Sequence, residues 1–379
     1  MSIDLTYIDE ALKCVQPGGT IWLKDGHFTD VEVKIDCSGT ESKRITIMPE
    51  HPGKLTISGE SSVYLSGSYI DFVHFDFKNI TSPTVLFVSG TQNRVTSCTY
   101  YEENDGKTNS TNIVISNSNN RIDHNVFEGV KQVCVESPFV SVDHNCIDKT
   151  RIILNATDAI VSNNQQTKYG WTIEANSASN AIIEHNTFSG LMINGHDHAI
   201  VYKNRFTPCE YLSTHISVKH AHDTIIANNV FHETTSNALT LLGESDTYIT
   251  GNAYLQCPSN LIDTSGLTTL SQFTNNMVYN ACSFVNMPNL EVSSNMCFTD
   301  IDHPPCTGVM YHGTAHPRAH DVLQHYKKLS LTNVDEVGLL NKKYHIGSTN
   351  MNVSIERHIN GIRTRVKNEL GITCTEDTP

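Results

Sequence analysis

Charge is scarce in this chain. Only 17% of its 379 residues are Asp, Glu, Lys or Arg, and the acidic ones outnumber the basic ones 40 to 26. A net charge of −14 leaves no basic footprint for a phosphate backbone, so nucleic acid is not expected as a partner. Long hydrophobic runs are missing too. No stretch approaches the roughly 18 apolar residues of a spanning helix, and no membrane span is expected. The eleven cysteines contain no CxxC pair, which removes the usual zinc and redox spacings and leaves buried thiols in a reducing compartment as the reading. The opening "MSIDLTYIDEALKCVQPGG" is acidic where a secretory leader would be basic and then apolar. An intracellular or virion-associated protein is therefore expected rather than a classically secreted one. The sequons at Asn79, Asn109, Asn155 and Asn352 are then chance matches.

What is present is core material and a repeat. Apolar residues make up 38% of the chain, which is ample for a globular core. The first segment reads as a short helix with Leu5, Ile8, Leu12 and Val15 on one face, stopped by "PGG". Beyond it, "IDHNVF", "VDHNCI", "IVSNNQ", "IIEHNTF", "VYKNRF", "IIANNVF", "YITGNAY", "FTNNMVY" and "VSSNMCF" align in one register. They place Asn125, Asn145, Asn164, Asn186, Asn204, Asn229, Asn252, Asn276 and Asn295 at equivalent positions, with gaps of 20, 19, 22, 18, 25, 23, 24 and 19 residues. Weaker copies, "FVHFDF" and "RVTSCTY", extend the series toward the N-terminus.

A period of this size marks a solenoid. The expected fold is all-β, a right-handed parallel β-helix of the pectate-lyase type. Each coil hydrogen-bonds to the coils about 4.8 Å above and below it. The repeated Asn is expected to take the left-handed bend itself and to bond along the axis to its equivalents. An antiparallel all-β chain would instead recur in two-residue Asn-Gly turns, and Asn194-Gly195 is not repeated. Solenoid ends need covers. The N-terminal helix is one. The division expected is 1–300 for the β-helix with its N-terminal cap and 301–379 for a C-terminal cap or extension. In the latter, "HDVLQHYKKL" and "VSIERHINGIRTRVKNELG" read as helices. The second carries Ile355, Ile359, Ile362, Val366 and Leu370 at helical spacing. Its basic face (Arg357, Arg363, Arg365, Lys367) either packs as part of a cap or offers a surface to a protein partner.

Two stretches, "LKCVQPGGTIWLKDGHFTDVEVKI" and "SKRITIMPEHPGKLTISGESSVYLSGSYIDFVHFDFKN", resemble the start of polysaccharide lyase family six. That family contains chondroitinase B and the β-helical alginate lyases. The likeness continues through "ISVK" and "LTL" and spans roughly residues 8 to 300. It implies β-elimination on an acidic, uronate-containing polysaccharide. In such chemistry calcium, held by acidic and amide side chains, neutralises the uronate carboxylate. A lysine removes the adjacent proton, and an arginine one coil on assists the leaving group.

Carried onto this chain, the resemblance makes Lys219 of "ISVK" the catalytic base. Counting ten residues back from each repeated Asn stacks Asn194, Lys219 and Leu242, so the arginine position holds Leu242. The two carboxylates expected before the lysine fall on Thr214 and Leu212, and Asn194 stands for the metal-binding asparagine. Calcium is the cofactor the family implies. With these ligands replaced, no cofactor and no metal ligand are expected. Strand alternation points His215, Ser217 and Lys219 outward, with His220 and His222 just after and His196 and His198 one coil below. Asn194, His215, Ser217 and His220 are accordingly the candidate substrate-binding residues beside Lys219. Histidines could rebuild acid, base or metal functions; polar turns also collect them for no catalytic reason. Two readings stand: a lyase-like protein that recognises an acidic polysaccharide, with cleavage open, and a catalytically inactive structural or adhesive β-helix such as a virion or surface-assembly component.

Overall fold

The computed structural model describes residues 2–102, 112–166, 172–208, 212, 214–232, 237–255, 261–279, 289–293 and 295–298, with 357, 359–361, 363–365 and 368 near the C-terminus. The chain divides into two compact units, residues 1–171 with 362–379, and residues 172–361. The helix expected at 320–329, the positions Ile355, Ile362, Val366, Lys367 and Leu370, and the sequons at Asn109 and Asn352 lie outside the described residues.

In both units the chain winds as a parallel β-helix whose full coils contribute three short strands, each paired with the third strand before and after it. In the first unit Arg121–Asp123, Val126–Glu128 and Gln132–Val135 form one coil. They pair in register with Ser141–Asp143, Cys146–Asp148 and Arg151–Leu154 of the next. The N-terminal helix Ile8–Cys14 follows a short 3-10 turn, Leu5–Tyr7, capped by the Asp4 carboxylate on the Thr6 amide at 3.0 Å. Leu5, Ile8 and Leu12 are buried as the spacing requires, while Val15 is the half-buried C-cap.

At Phe127, Phe188, Phe206, Phe231 and Tyr254 the residue two after the repeated Asn is buried, and these rings stack along each unit. In the first, Phe77, Tyr100 and Phe127 follow one another at 4.8 and 5.2 Å between centroids. In the second, Phe188, Phe206, Phe231 and Tyr254 do so at 4.7, 4.6 and 4.6 Å. Such offset stacks add to the area that the rings remove from water.

The repeated asparagines form the axial ladder. Asn125 donates from its backbone N and its Nδ2 to Asn145 Oδ1 at 2.9 and 3.0 Å, and Asn145 repeats both bonds to Asn164. In the second unit the same double bond links Asn186 to Asn204, then Asn229, Asn252, Asn276 and Asn295. One detail corrects the expectation. The left-handed backbone belongs to the residue before each Asn from Asn125 to Asn276: His124 (φ 55°), His144 (56°), Asn163 (55°), His185 (54°), Lys203 (52°), Asn228 (55°), Gly251 (65°) and Asn275 (56°). The ladder Asn keeps ordinary geometry, and the preceding residue makes the bend. In the weaker copies Cys98 takes the ladder place, its amide donating to Asn125 Oδ1 at 2.9 Å, and Phe75 takes it one coil earlier.

The first unit also carries an outward charge lattice that the sequence reading did not single out. Asp123, fully buried, receives Arg94 on both oxygens and His124 Nδ1 at 2.7 Å. Asp143 receives Arg121 on both oxygens, Ser141, and His144 Nδ1 at 2.9 Å. Burial would push the Asp143 carboxyl up, yet the hydrogen bonds from His144, Arg121 and Ser141 and the Arg121 charge hold it well below the usual carboxylate range. A carboxyl lowered by folding stabilises the native state above its unfolded pKa, and that contribution is lost as pH falls through the folded value. Urea midpoints of the parent should therefore fall below about pH 4, the ordinary aspartate range. The difference between the parent and Asp143→Asn should shrink over the same window. A difference that stays constant from pH 6 to pH 2 would mean that Asp143 does not titrate with folding.

Near the C-terminus the described residues from Arg357 to Asn368 are helical, and Ile359 is buried. Arg365 pairs with Asp158 at 3.0 Å. One arginine of the expected basic face therefore lies against the flank of the first unit, at the coil that carries Asp158.

Candidate active site

The strand Thr214–Lys219 forms because β-branched Ile216 and Val218 alternate with polar neighbours. Both apolar side chains are fully buried, Ser217 is half-buried, and Lys219 projects into solvent. The register read from the repeat is the one observed. Asn194 lies opposite Lys219 on one side and Leu242 lies opposite it on the other, with Asn176 opposite Asn194. A second outward row runs beside it through Glu174, Met192, Ser217, Thr240 and Asp263. Lys219 makes no ion pair among the described residues.

Past Lys219 the chain turns. The corner positions Ser177, Gly195, His220 and Gly243 all have positive φ, at 43°, 63°, 48° and 66°. Of these only His220 carries a large side chain. Its imidazole lies on Gly243 of the next coil, where a Cβ would run into its Cε1 and Nδ1. Asn194, Ser217 and Lys219 thus share one outward face, and His220 is exposed at the corner directly after it.

His215 does not. Strand alternation put it outward, but it is 3% exposed. Its Nδ1 donates to the Ser189 carbonyl at 2.7 Å, and its ring sits 5.7 Å from Phe206 and 6.1 Å from Phe231. As the second residue of its strand it still belongs to the corner, where the chain closes over the core before the sheet face opens. The other histidines disperse as well. His196 is buried; burial, slightly opposed by the Asp197 charge, depresses its pKa to about 4, and its Nε2 accepts from the Ala181 amide at 3.3 Å. His198 pairs with Asp223 at 3.3 Å and His222 with Asp246 at 2.7 Å. The hydrogen bond that its Nδ1 donates to the Asp246 carboxylate raises the His222 pKa.

The calcium that the resemblance implies has no matching ligand set in these positions. The Thr214 hydroxyl turns back onto the carbonyls of Ile216 at 3.1 Å and Ala238 at 3.4 Å. The Leu212 side chain lies over Gly190 and offers no oxygen. Asn194 leaves a single amide, short of the six or more oxygens that calcium takes.

Residues 4–151 match the family model of chondroitinase B. The chain is similar to a point variant of the family-six alginate lyase AlyGC at 19% identity and a TM-score of 0.67, over 82% of this chain and 52% of that one. The fold is that of polysaccharide lyase family six. A mannuronic-acid-specific family-six lyase from the human gut microbiota superimposes with a TM-score of 0.69 at 15% identity, over 96% of this chain and 99% of its own. The family-six lyase Pedsa3628 from Pseudopedobacter saltans gives 0.62 at 13% identity, over 83% and 96%. This chain spans about half the length of AlyGC. No curated protein sequence matches significantly. The family-model match ends at residue 151, before Lys219.

Proposed function

We propose that the protein binds an acidic, uronate-containing polysaccharide across the outward face around Lys219 and cleaves it by β-elimination. One observation carries the reading. Lys219 is an exposed cation, unpaired among the described residues, and in register with the amide of Asn194. An ammonium in that setting can meet a uronate carboxylate, while Asn194, Ser217 and His220 offer hydrogen bonds to sugar hydroxyls. The net charge of −14 limits binding to where this local cation offsets the repulsion.

Leu242 favours a second reading, a binding protein without chemistry, because an alkyl side chain can neither donate a proton nor stabilise charge at the leaving oxygen. The deciding experiment incubates purified protein with alginate, dermatan sulfate and pectate, with and without calcium. It follows the ultraviolet absorbance of the conjugated unsaturated uronate. Product without calcium on one of the polymers is expected. Affinity electrophoresis on the same polymers reports binding separately. Neither product nor retardation on any of them would overturn the reading.

A further inference from the structure

Elimination beside a uronate carboxylate needs a positive charge against the carboxylate and, separately, a base at the neighbouring C–H. An ammonium engaged with the carboxylate cannot remove a proton. Thr214, Leu212 and Asn194 do not make a calcium ligand set, and a single lysine cannot serve both needs. We infer that His220 is the base of the elimination and that Lys219 supplies the positive charge. This rests on the uronate-cleaving reading above.

The geometry carries the division of labour. His220 follows Lys219 directly, and its backbone at φ 48° turns the chain at the corner. The ring then rises one coil and rests on Gly243, the residue after Leu242. Leu242 is the position directly opposite Lys219. The imidazole therefore stands at the level of the coil above the Lys219 backbone, about 4.8 Å along the axis. That is the level at which the arginine implied by the resemblance is missing. Gly243 is what makes this seat available, since any side chain there would displace the ring. Gly195 on the coil below likewise has no side chain, which leaves the corner open for a sugar ring.

Imidazole is the side chain that accepts a proton near neutral pH without prior activation. In the step, a His220 ring nitrogen takes the proton from C5 of the uronate. The C5–H electrons form the C4–C5 double bond, and the C4–O4 bond breaks. In a uronate whose C5 hydrogen and C4 oxygen lie on one ring face, the imidazolium returns that same proton to the departing oxygen. The products are an unsaturated uronate and a free hydroxyl, with no other reactant consumed. Lys219 holds the carboxylate throughout and keeps its proton.

Three variants of the full chain test this on the polymer that the parent cleaves. His220→Gln should lower kcat at least about 100-fold, the scale of a lost general base, with KM within about threefold. Lys219→Arg should keep at least about a tenth of the parental kcat, because a guanidinium neutralises a carboxylate and cannot act as a base. Gly243→Ala keeps both groups but unseats the ring, and should lower kcat about 10-fold or more. Circular dichroism melts establish that each variant is folded. An inactive Lys219→Arg beside a near-parental His220→Gln would make the lysine the base and overturn the inference. A fully active Gly243→Ala would also overturn it, because the ring would then not need its seat on Gly243. A parent that is retarded by the polymers but releases no unsaturated product would also overturn the inference while leaving the binding reading in place.

Discussion

Asn229→Leu should cost about 2–4 kcal/mol of folding stability, the sum of one or two buried polar groups left without partners. Asn229 is fully buried. Its Oδ1 accepts from the Asn204 amide and side chain at 2.8 and 3.1 Å. Its Nδ2 donates to Val201, Ala227 and Asn252 at 2.9 to 3.0 Å. Leucine fills a similar volume and supplies none of these bonds. The Asn204 amide then loses its acceptor in a place water cannot reach, and the Val201 carbonyl loses a donor. Urea denaturation compares the two proteins directly. A midpoint equal to that of the parent would show that the ladder contributes nothing to stability.

Lys219→Ala is expected to have the largest effect on function. In the proposed scheme it removes the charge that offsets the carboxylate in the transition state, a loss of about 100- to 1000-fold in kcat/KM. Polymer affinity should fall by about 1 kcal/mol, and the deficit should shrink as salt is added, since the contact is exposed and screened. The melting temperature should stay at the parental value, because the side chain projects from the strand while Ile216 and Val218 keep their places in the core. Turnover of Lys219→Ala equal to that of the parent would remove the lysine from the site altogether.

Much of the fold was legible because the repeat is enforced residue by residue. An Asn that must bond to its equivalent one coil away recurs at a fixed position, and in five of the nine copies a stacking ring follows two places later, so both survive as pattern. The register that sets Asn194, Lys219 and Leu242 in one row followed from counting back from that Asn, and the strand pairing agrees. The left-handed residue was assigned one position late, because a bend and the side chain that secures it look alike in sequence when they are neighbours. His215 was misplaced for a different reason. Period-two alternation assumes a flat strand, and it fails at the corner, where the chain closes over Phe206 and Phe231. The Arg–Asp–His lattice had a visible signal, the repeated "DHN" of "IDHNVF" and "VDHNCI". Its Asp and His were masked by the louder Asn beside them. The seat of His220 on Gly243 could not be read at all, since it depends on a side chain crossing to another coil.

The ladder also governs how the chain can change in length. Each of the central asparagines accepts from the coil before it and donates to the coil after it. The bonding therefore closes only over whole coils. Excising one residue between Asn204 and Asn229 has to be absorbed in a loop or it breaks two rungs. Excising the complete interval from one Asn to the next rejoins matching partners and costs a single rung. The unequal spacings of 18 to 25 residues are what this rule permits. Corners and loops are free to drift by single residues, while the stack can lengthen or shorten along its axis only by entire turns.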